Sequence, residues 1–353
     1  MSATVPRARP SVRAPAITDV ARLAGVSVPT VSRVITGSTP VRSEKRERVL
    51  AAIAELGYRP NGAARALVAG RQAAIAVLTG GTSRYGYATT LQGIEEAARL
   101  AGFIAMITVI ESDDSDTVRS SVDFALAHPV AGVIVVKFDP ASVKALHLLP
   151  SSPPVVAASG GRSRSVPHAV LDETAAAIQA TEYLLSLGHR TVHHVAIPAP
   201  GRRTGRAVGW RKALERAGAE VPEVLQCDWD PHQGYRLGLR LAERDDVTAV
   251  LCGNDELALG VMRGLHERGR RVPDDVSVVG FDGHPLGALS VPSLTTVEQD
   301  FAGLGRRAFG LLAGLLDDRH SPKQSRSGAQ ATPALSVATP QLVVRESTAP
   351  PPR

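Results

Sequence analysis

Ser32 and Arg33 lie on the polar face of a short helical stretch whose first turn carries Val28 and Pro29. Arg42, Lys45, Arg46 and Arg48 follow a few residues later. Such donors suit phosphate oxygens and base edges, so the chemistry on offer is recognition of a nucleic acid. The flanking residues say how that face would be held. Gly25 separates two short helices at a point where the chain must turn sharply, and glycine tolerates positive φ. Thr18 is placed to cap the first helix, Asp19 to Ala24, and Ser27 to cap the second, Val28 to Ile35. Ala21 is small where the two helices must cross, and Val31 falls inward toward Val20 and Ala21. Pro29 is tolerated in a first turn, because its missing N–H would be unpaired anyway. A third helix begins near Ser43, which is placed to cap it, and a short helical piece follows Pro60. Residues Ile17 to Leu67 are therefore predicted to form a helix-turn-helix with an attached element. The start of its second helix is the part that enters the major groove.

Charge agrees with that reading. Residues 1–71 hold 12 Lys and Arg against 4 Asp and Glu, a net +8. The whole chain is +6, so the remainder is −2. Positive charge concentrated on one small unit is the electrostatic footprint of phosphate binding. Residues 1–15 contain arginines and no apolar core region, so they read as a disordered basic arm and not as a secretory signal.

With 353 residues, the chain leaves about 280 beyond the small unit, enough for sizeable α/β cores. Two cysteines, Cys227 and Cys252, make no disulfide framework, and no apolar run is long enough for a membrane span. These features are read as cytoplasmic. From Ala74 onward, apolar runs alternate with amphipathic stretches. Strands are expected at Ile75–Leu78, Ile104–Val109, Gly132–Val136, Val155–Ala158, Val192–Ala196, Val224–Cys227, Ala249–Cys252 and Val276–Gly280. Helices are expected over Thr90–Leu100, Ala175–Leu187, Gly205–Ala217 and Asp255–Arg268. Continuous apolar strands separated by helices imply parallel sheets, and so many strands imply two lobes.

The chain resembles the lac repressor (LacI/GalR) family of transcriptional regulators. In the small unit the matching residues are Asp19-Val20-Ala21, Ala24-Gly25-Val26-Ser27, Thr30-Val31-Ser32-Arg33-Val34, Glu55-Leu56-Gly57-Tyr58 and Pro60-Asn61. Beyond it they include Leu187-Gly188-His189, Gly209-Trp210, Asn254-Asp255, Leu257-Ala258-Leu259-Gly260, Asp275 to Asp282 and Pro292 to Thr296. The resemblance implies an α/β fold: a helix-turn-helix headpiece at residues 16–60, a hinge helix and linker at 61–71, and a two-lobed periplasmic-binding-protein-like domain with parallel sheets at 73–346. Lobe 1 is placed at about 73–171 and 300–325, lobe 2 at about 172–298 and 326–346, with a tail at 347–353.

By the same resemblance, Val28, Pro29 and Arg33 read major-groove bases. Arginine suits guanine, whose O6 and N7 accept a bidentate pair worth ~1–3 kcal/mol of discrimination. Thr18, Ser27, Thr30, Ser32, Arg42 and Asn61 would contact the DNA backbone. Paired hinge helices would wedge Leu67, with Ala64 on the same face, into the minor groove. Tyr85, Ser159, Arg206, Trp229, Asn254, Asp282 and Phe301 would bind a small-molecule effector between the lobes. Ser159 stands where the lac repressor carries a sugar-binding aspartate, which departs from a galactoside-like pose. The expected function is an effector-controlled repressor of palindromic operator DNA, with a carbohydrate inducer as the leading effector. A nucleobase or nucleoside co-repressor is the alternative. No leucine heptads follow Arg345, so a homodimer is expected and not a tetramer.

Other classes fit poorly. His193 and His194 alternate within an apparent strand and point to opposite faces, which makes them poor joint metal ligands. No phosphate-binding loop, nucleophile elbow or dinucleotide fingerprint is present, so no enzyme, metal or cofactor is expected. A transporter's solute-binding protein would need a signal peptide and no DNA reader.

Overall fold

Glycine at position 25 has φ 60°, in the left-handed region, and it ends the first of three short helices. The structure, a computed structural model, describes residues 15–36, 39–58, 74–161, 166–199, 201, 204–320 and 334–352. The chain divides into two compact units, Met1–Ala73 and Ala74–Arg353. In the first, helices α1 (Ile17–Ala24), α2 (Val28–Thr36) and α3 (Ser43–Leu56) pack Val20, Ala21, Ala24, Val31, Val49 and Ala52 into one small core. Val31 meets Val20 and Ala21 there, as the sequence pattern requires.

The caps differ from expectation. Thr18 lies inside α1, which begins after Ala16, and the Asp19 carboxylate accepts the Ala16 N–H at 2.9 Å. Aspartate at the third helical position reaches back where threonine at the second cannot. Ser43 is the first residue of α3, preceded by Arg42, and no side chain caps that end. The Ser27 hydroxyl meets the Thr30 hydroxyl at 2.9 Å, and the Ser27 carbonyl accepts the Val31 N–H that opens α2.

The second unit contains two six-stranded sheets. Lobe 1 is built on β1 (Ala74–Thr79), β2 (Ile104–Val109), β3 (Val133–Lys137), β4 (Val155–Ser159), β5 (His168–Leu171) and β11 (Leu335–Ala338), in the order β11-β5-β4-β3-β1-β2. Its helices are α4 (Tyr85–Leu100), α5 (Ser115–Leu126), α6 (Pro140–Leu148) and α11 (Phe301–His320). Lobe 2 contains β6 (His193–Ala196), β7 (Leu225–Gln226), β8 (Ala249–Cys252), β9 (Ser277–Asp282), β10 (Thr295–Glu298) and β12 (Gln341–Val343), in the order β12-β10-β9-β8-β6-β7. Its helices are α7 (Glu173–Ser186), α8 (Gly205–Ala217), α9 (Pro231–Ala242) and α10 (Asp255–Glu267). All pairings are parallel except β10 with β12. Strands buried on both faces, such as Ile75 to Leu78 and Val133 to Val136, explain the continuous apolar runs.

The chain crosses between lobes after β5, after β10 and after β11. The third crossing therefore falls between Ala338 and Gln341, and not near residue 325. Lobe 1 takes β11 as an edge strand because Leu335 to Ala338 pair in register with His168 to Leu171. Helices α4 and α11 touch backbone to backbone. A Cβ on Gly93 would sit 2.0 Å from the Ala302 carbonyl oxygen, and one on Gly305 2.2 Å from that of Thr90. The end of the chain is built into lobe 2. Ser347 is fully buried, its hydroxyl donates to the Val278 carbonyl at 2.6 Å and accepts the Thr295 N–H at 2.8 Å. His189 anchors the same segment through the Ala349 carbonyl at 3.0 Å.

Arg48 locks the headpiece turn. Its Nε donates to the Ala24 carbonyl at 2.9 Å and its Nη2 to the Gly25 carbonyl at 3.0 Å. Replacing Arg48 by Ala is expected to destabilise the headpiece by about 1–2 kcal/mol, because two helix-end carbonyls lose a charged donor. Hydrogen exchange of the amides of residues 17–36 in the whole chain measures this. Unchanged protection would show that the turn holds without the clamp.

Candidate functional site

Two regions gather polar side chains that the cores do not need. In the headpiece, α2 turns Pro29 and Arg33 outward, both exposed, while Val28 is half-buried against the small core. Thr18, Ser27 and Arg42 are also exposed, and Thr30 and Ser32 are partly covered. Of these, Ser27 and Thr30 meet through their hydroxyls at the start of α2. Arg48, read from sequence as one of several phosphate donors, is instead committed to the turn carbonyls. Asn61, Ala64 and Leu67, the expected hinge residues, lie outside the described residues.

The second region is a cavity of about 290 Å³ between the lobes, at the carboxyl ends of the parallel strands. That location follows from the fold, because crossovers leave a crevice beyond those ends. All seven side chains expected at an effector site line it: Tyr85, Ser159, Arg206, Trp229, Asn254, Asp282 and Phe301. Arg206 dominates its chemistry. It is 4 % exposed, and its Nη2 lies 2.7 Å from Glu173 Oε1 and 2.9 Å from Asp282 Oδ1. Nη1 donates to the Gly253 carbonyl, and the guanidinium carbon stands 4.3 Å from the centre of the Phe281 ring. Nε has no acceptor among the described residues.

Asp282 has φ 109°, a left-handed backbone that costs a residue with a side chain on the order of 1–3 kcal/mol. The β9–β10 pairing, Arg206 and the Gln299 amide at 2.7 Å hold it there. Burial raises the Asp282 carboxyl to about 6 although Arg206 and Gln299 oppose the rise. Burial likewise raises Asp255 to about 7, against hydrogen bonds from Thr296 and the His284 N–H. Burial alone would lower the Arg206 pKa, but the carboxylates of Asp282 and Glu173 more than offset it. Aromatic side chains reach across the cleft: Arg84 lies 5.3 Å over Trp229, and the Tyr85 and His284 rings are 4.8 Å apart.

A headpiece with this architecture, followed by a two-lobed cleft domain, has named counterparts. Residues 16–61 match the model of bacterial regulatory proteins of the lacI family, and residues 181–348 match that of a periplasmic binding protein-like domain. Catabolite control protein A of Priestia megaterium is 32 % identical over 84 % of this chain and 91 % of its own length. The PurR repressor of Escherichia fergusonii is 32 % identical over 88 % and 92 %, and the lactose operon repressor of Escherichia coli strain K12 is 30 % identical over 84 % and 83 %.

The chain belongs to the lacI family of bacterial regulatory proteins. Among solved structures, the lac repressor dimer bound to operator and the anti-inducer ONPF superposes with a TM-score of 0.83 at 29 % identity, covering 96 % of this chain and all of that one. A CelR–cellobiose complex gives 0.66 at 29 %, over 94 % and 99 %.

In this lacI-family regulator the cleft residues do not all have free side chains. Asn254 caps α10, accepting the Leu257 N–H at 2.9 Å and donating to Glu256 at 2.9 Å. Its amide is committed to the helix end. The Ser159 hydroxyl donates to the Gly161 carbonyl. Sequence reading missed Glu173, Asp255 and Lys137, which also line the cavity. Lys137 did leave a signal, a charge closing the apolar run Val133 to Val136 at a strand's carboxyl end. Glu173 left none, since only the packing of α7 on α8 within lobe 2 brings it to Arg206. His193 and His194 go to different partners, as expected: His194 stacks on Trp210 with centroids 5.4 Å apart, and His193 lies 3.9 Å from Asp246.

The Asp255 carboxyl carries a pH dependence. Its folded value of about 7 lies above an unfolded value near 4, so its stabilising effect is complete below pH ~4 and is lost as pH rises through about 7. Asp255→Asn is expected to flatten the dependence of the urea midpoint between pH 5 and 7.5, by on the order of a few kcal/mol across the range. An unchanged slope would show that Asp255 ionises freely.

Proposed function

We propose that this regulator represses transcription by binding a palindromic operator as a homodimer, with its operator affinity set by a small molecule held between the lobes. The observation that carries the reading is the pairing, in one chain, of a lacI-family headpiece with a cleft lined by all seven expected effector residues. Val28, Pro29 and Arg33 read bases, while Thr18, Ser27, Thr30, Ser32, Arg42 and Asn61 hold phosphates. Phosphate contacts set affinity and the few base contacts set specificity. By the family resemblance, Leu67 and Ala64, outside the described residues, would supply the minor-groove wedge that couples the cleft to the operator. The chain acts by binding, not catalysis. A carbohydrate inducer is favoured, because Trp229, Phe301 and Tyr85 offer apolar faces to sugar C–H groups, and Arg206 with Asp282 offers donors and acceptors to hydroxyls. The likeness to the CelR–cellobiose complex and to the lactose operon repressor supports this. The relation to PurR repressors keeps a nucleobase or nucleoside co-repressor as the second reading.

A second copy would cover the β2 edge. The β2 edge exposes Ile104, Ile107 and Val109, an open apolar strand edge that proteins ordinarily cover. The lac repressor structure it resembles is described as a dimer on its operator.

Arg33→Ala is expected to flatten the preference at one guanine-containing position of each half-site, at a cost of about 1–3 kcal/mol for the preferred sequence. Selection of binding sites from a random pool, wild type beside variant, reads this directly, and an identical motif from both would remove Arg33 from base reading. Ile107→Asp is expected to shift the protein from dimer to monomer in sedimentation and to weaken operator binding. A variant that stays dimeric at micromolar concentration would place the interface elsewhere.

A further inference from the structure

The two walls of the cleft differ in charge. The lobe 2 wall carries Glu173, Asp255, Glu256 and Asp282, with Arg206 paired between two of them. The lobe 1 wall carries Lys137 and Arg84 and no carboxylate among its lining residues. Lys137 ends β3 and is half-buried, yet no described carboxylate comes within ion-pair distance of it, nor of Arg84. The residues outside the described set include no Asp or Glu.

Burial lowers the Lys137 pKa, and no neighbouring charge opposes that shift. A desolvated ammonium without a counter-charge is unfavourable in an isolated protein, and a bound anion relieves it. The first turn of α4, Tyr85, Gly86 and Tyr87, lines the same wall; no side chain caps that end and its first turn holds no acidic residue. Its unpaired N–H groups add to the positive field there.

We infer that the effector is an anionic carbohydrate, a sugar acid or a sugar phosphate, with its carboxylate or phosphate against Lys137 and Arg84 and its hydroxyls against Arg206, Asp282 and Glu256. This rests on the carbohydrate reading above. A cavity of about 290 Å³ is at the small end for a ligand site and suits one ring with one charged substituent. Trp229, with Arg84 over one side of its ring, and Tyr85, edge-on to Phe301, line the space the sugar ring would fill. Because the anion sits on lobe 1 and the hydroxyls on lobe 2, the ligand spans the cleft, and its charge is read as lobe closure.

The test is calorimetric titration of the full chain with matched sets: glucose, glucuronate and glucose 6-phosphate, then galactose, galacturonate and galactose 6-phosphate. Purine bases and nucleosides form a separate arm. An acidic or phosphorylated member is expected to bind at least about tenfold tighter than its neutral parent and to weaken as salt rises. Comparing the carboxylate and phosphate members decides which anion is read. Lys137→Gln is expected to lose most of that tenfold preference, and Lys137→Arg to keep it. Since each preference is a ratio within one variant, a general folding defect does not imitate the result. Neutral sugars that bind as tightly as the acidic ones, or a preference intact in Lys137→Gln, would overturn the anion and leave the carbohydrate reading standing. Binding confined to purines, or absent from every compound, would overturn both.

Discussion

A guanidinium shut inside a protein must be matched by carboxylates, and the arrangement around Arg206 follows from that requirement. Arg206 comes from the first turn of α8, Glu173 from the first residue of α7, Asp282 from the last residue of β9, and the carbonyl of Gly253 from the turn after β8. Four separate segments of lobe 2 therefore meet on one side chain. Removing one partner of such a buried set costs on the order of 3–5 kcal/mol, because the remaining charge stays buried and unpaired. The same demand explains the left-handed backbone at Asp282: strain there is offset by the ion pair and the Gln299 hydrogen bond it permits.

The Arg206 set lies within lobe 2 and ties together that wall alone. The lobes are joined by three crossings, and each lobe keeps its own apolar cores on both faces of its own sheet. Contacts across the cleft are polar and aromatic edges, Arg84 over Trp229 and Tyr85 against His284. Such contacts are weaker than the cores on either side, so a bound molecule that touches both walls can bias the lobes' arrangement. Coupling to DNA affinity is then reciprocal: whatever the effector does to operator binding, the operator does to effector binding.

The headpiece was largely legible in the sequence. Gly25 between two apolar-faced stretches, the inward valines and the clustered arginines each have a local cause, and local causes are visible in a chain. The caps were less legible. Asp19 and Thr18 are both good capping residues, and the choice between them depends on a helix start one or two residues earlier. Arg48 was read as a phosphate donor because charge is visible in sequence while the carbonyls it binds are not. In the cleft domain the long buried strands were found from continuous apolar runs. The short strands β5, β10, β11 and β12 were not: β10, β11 and β12 mix polar residues into three or four positions, and such short runs carry too little periodicity to stand out. Missing β11 moved the third lobe crossing by more than ten residues.

What this chain determined by itself was its family of shapes and the types of its binding groups: a glycine-hinged helix pair with basic surroundings, alternating apolar strands and helices, and polar residues at strand ends. Those depend on spacing and composition, which sequence carries directly. Which groups meet was decided only by the tertiary structure. Glu173 reaches Arg206, Ser347 ties the segment after β12 to β9 and β10, and Lys137 is left without a counter-charge. Each of these depends on residues far apart in the chain being brought within a few ångströms, and the energy of a buried charge is set by those neighbours and not by its own identity.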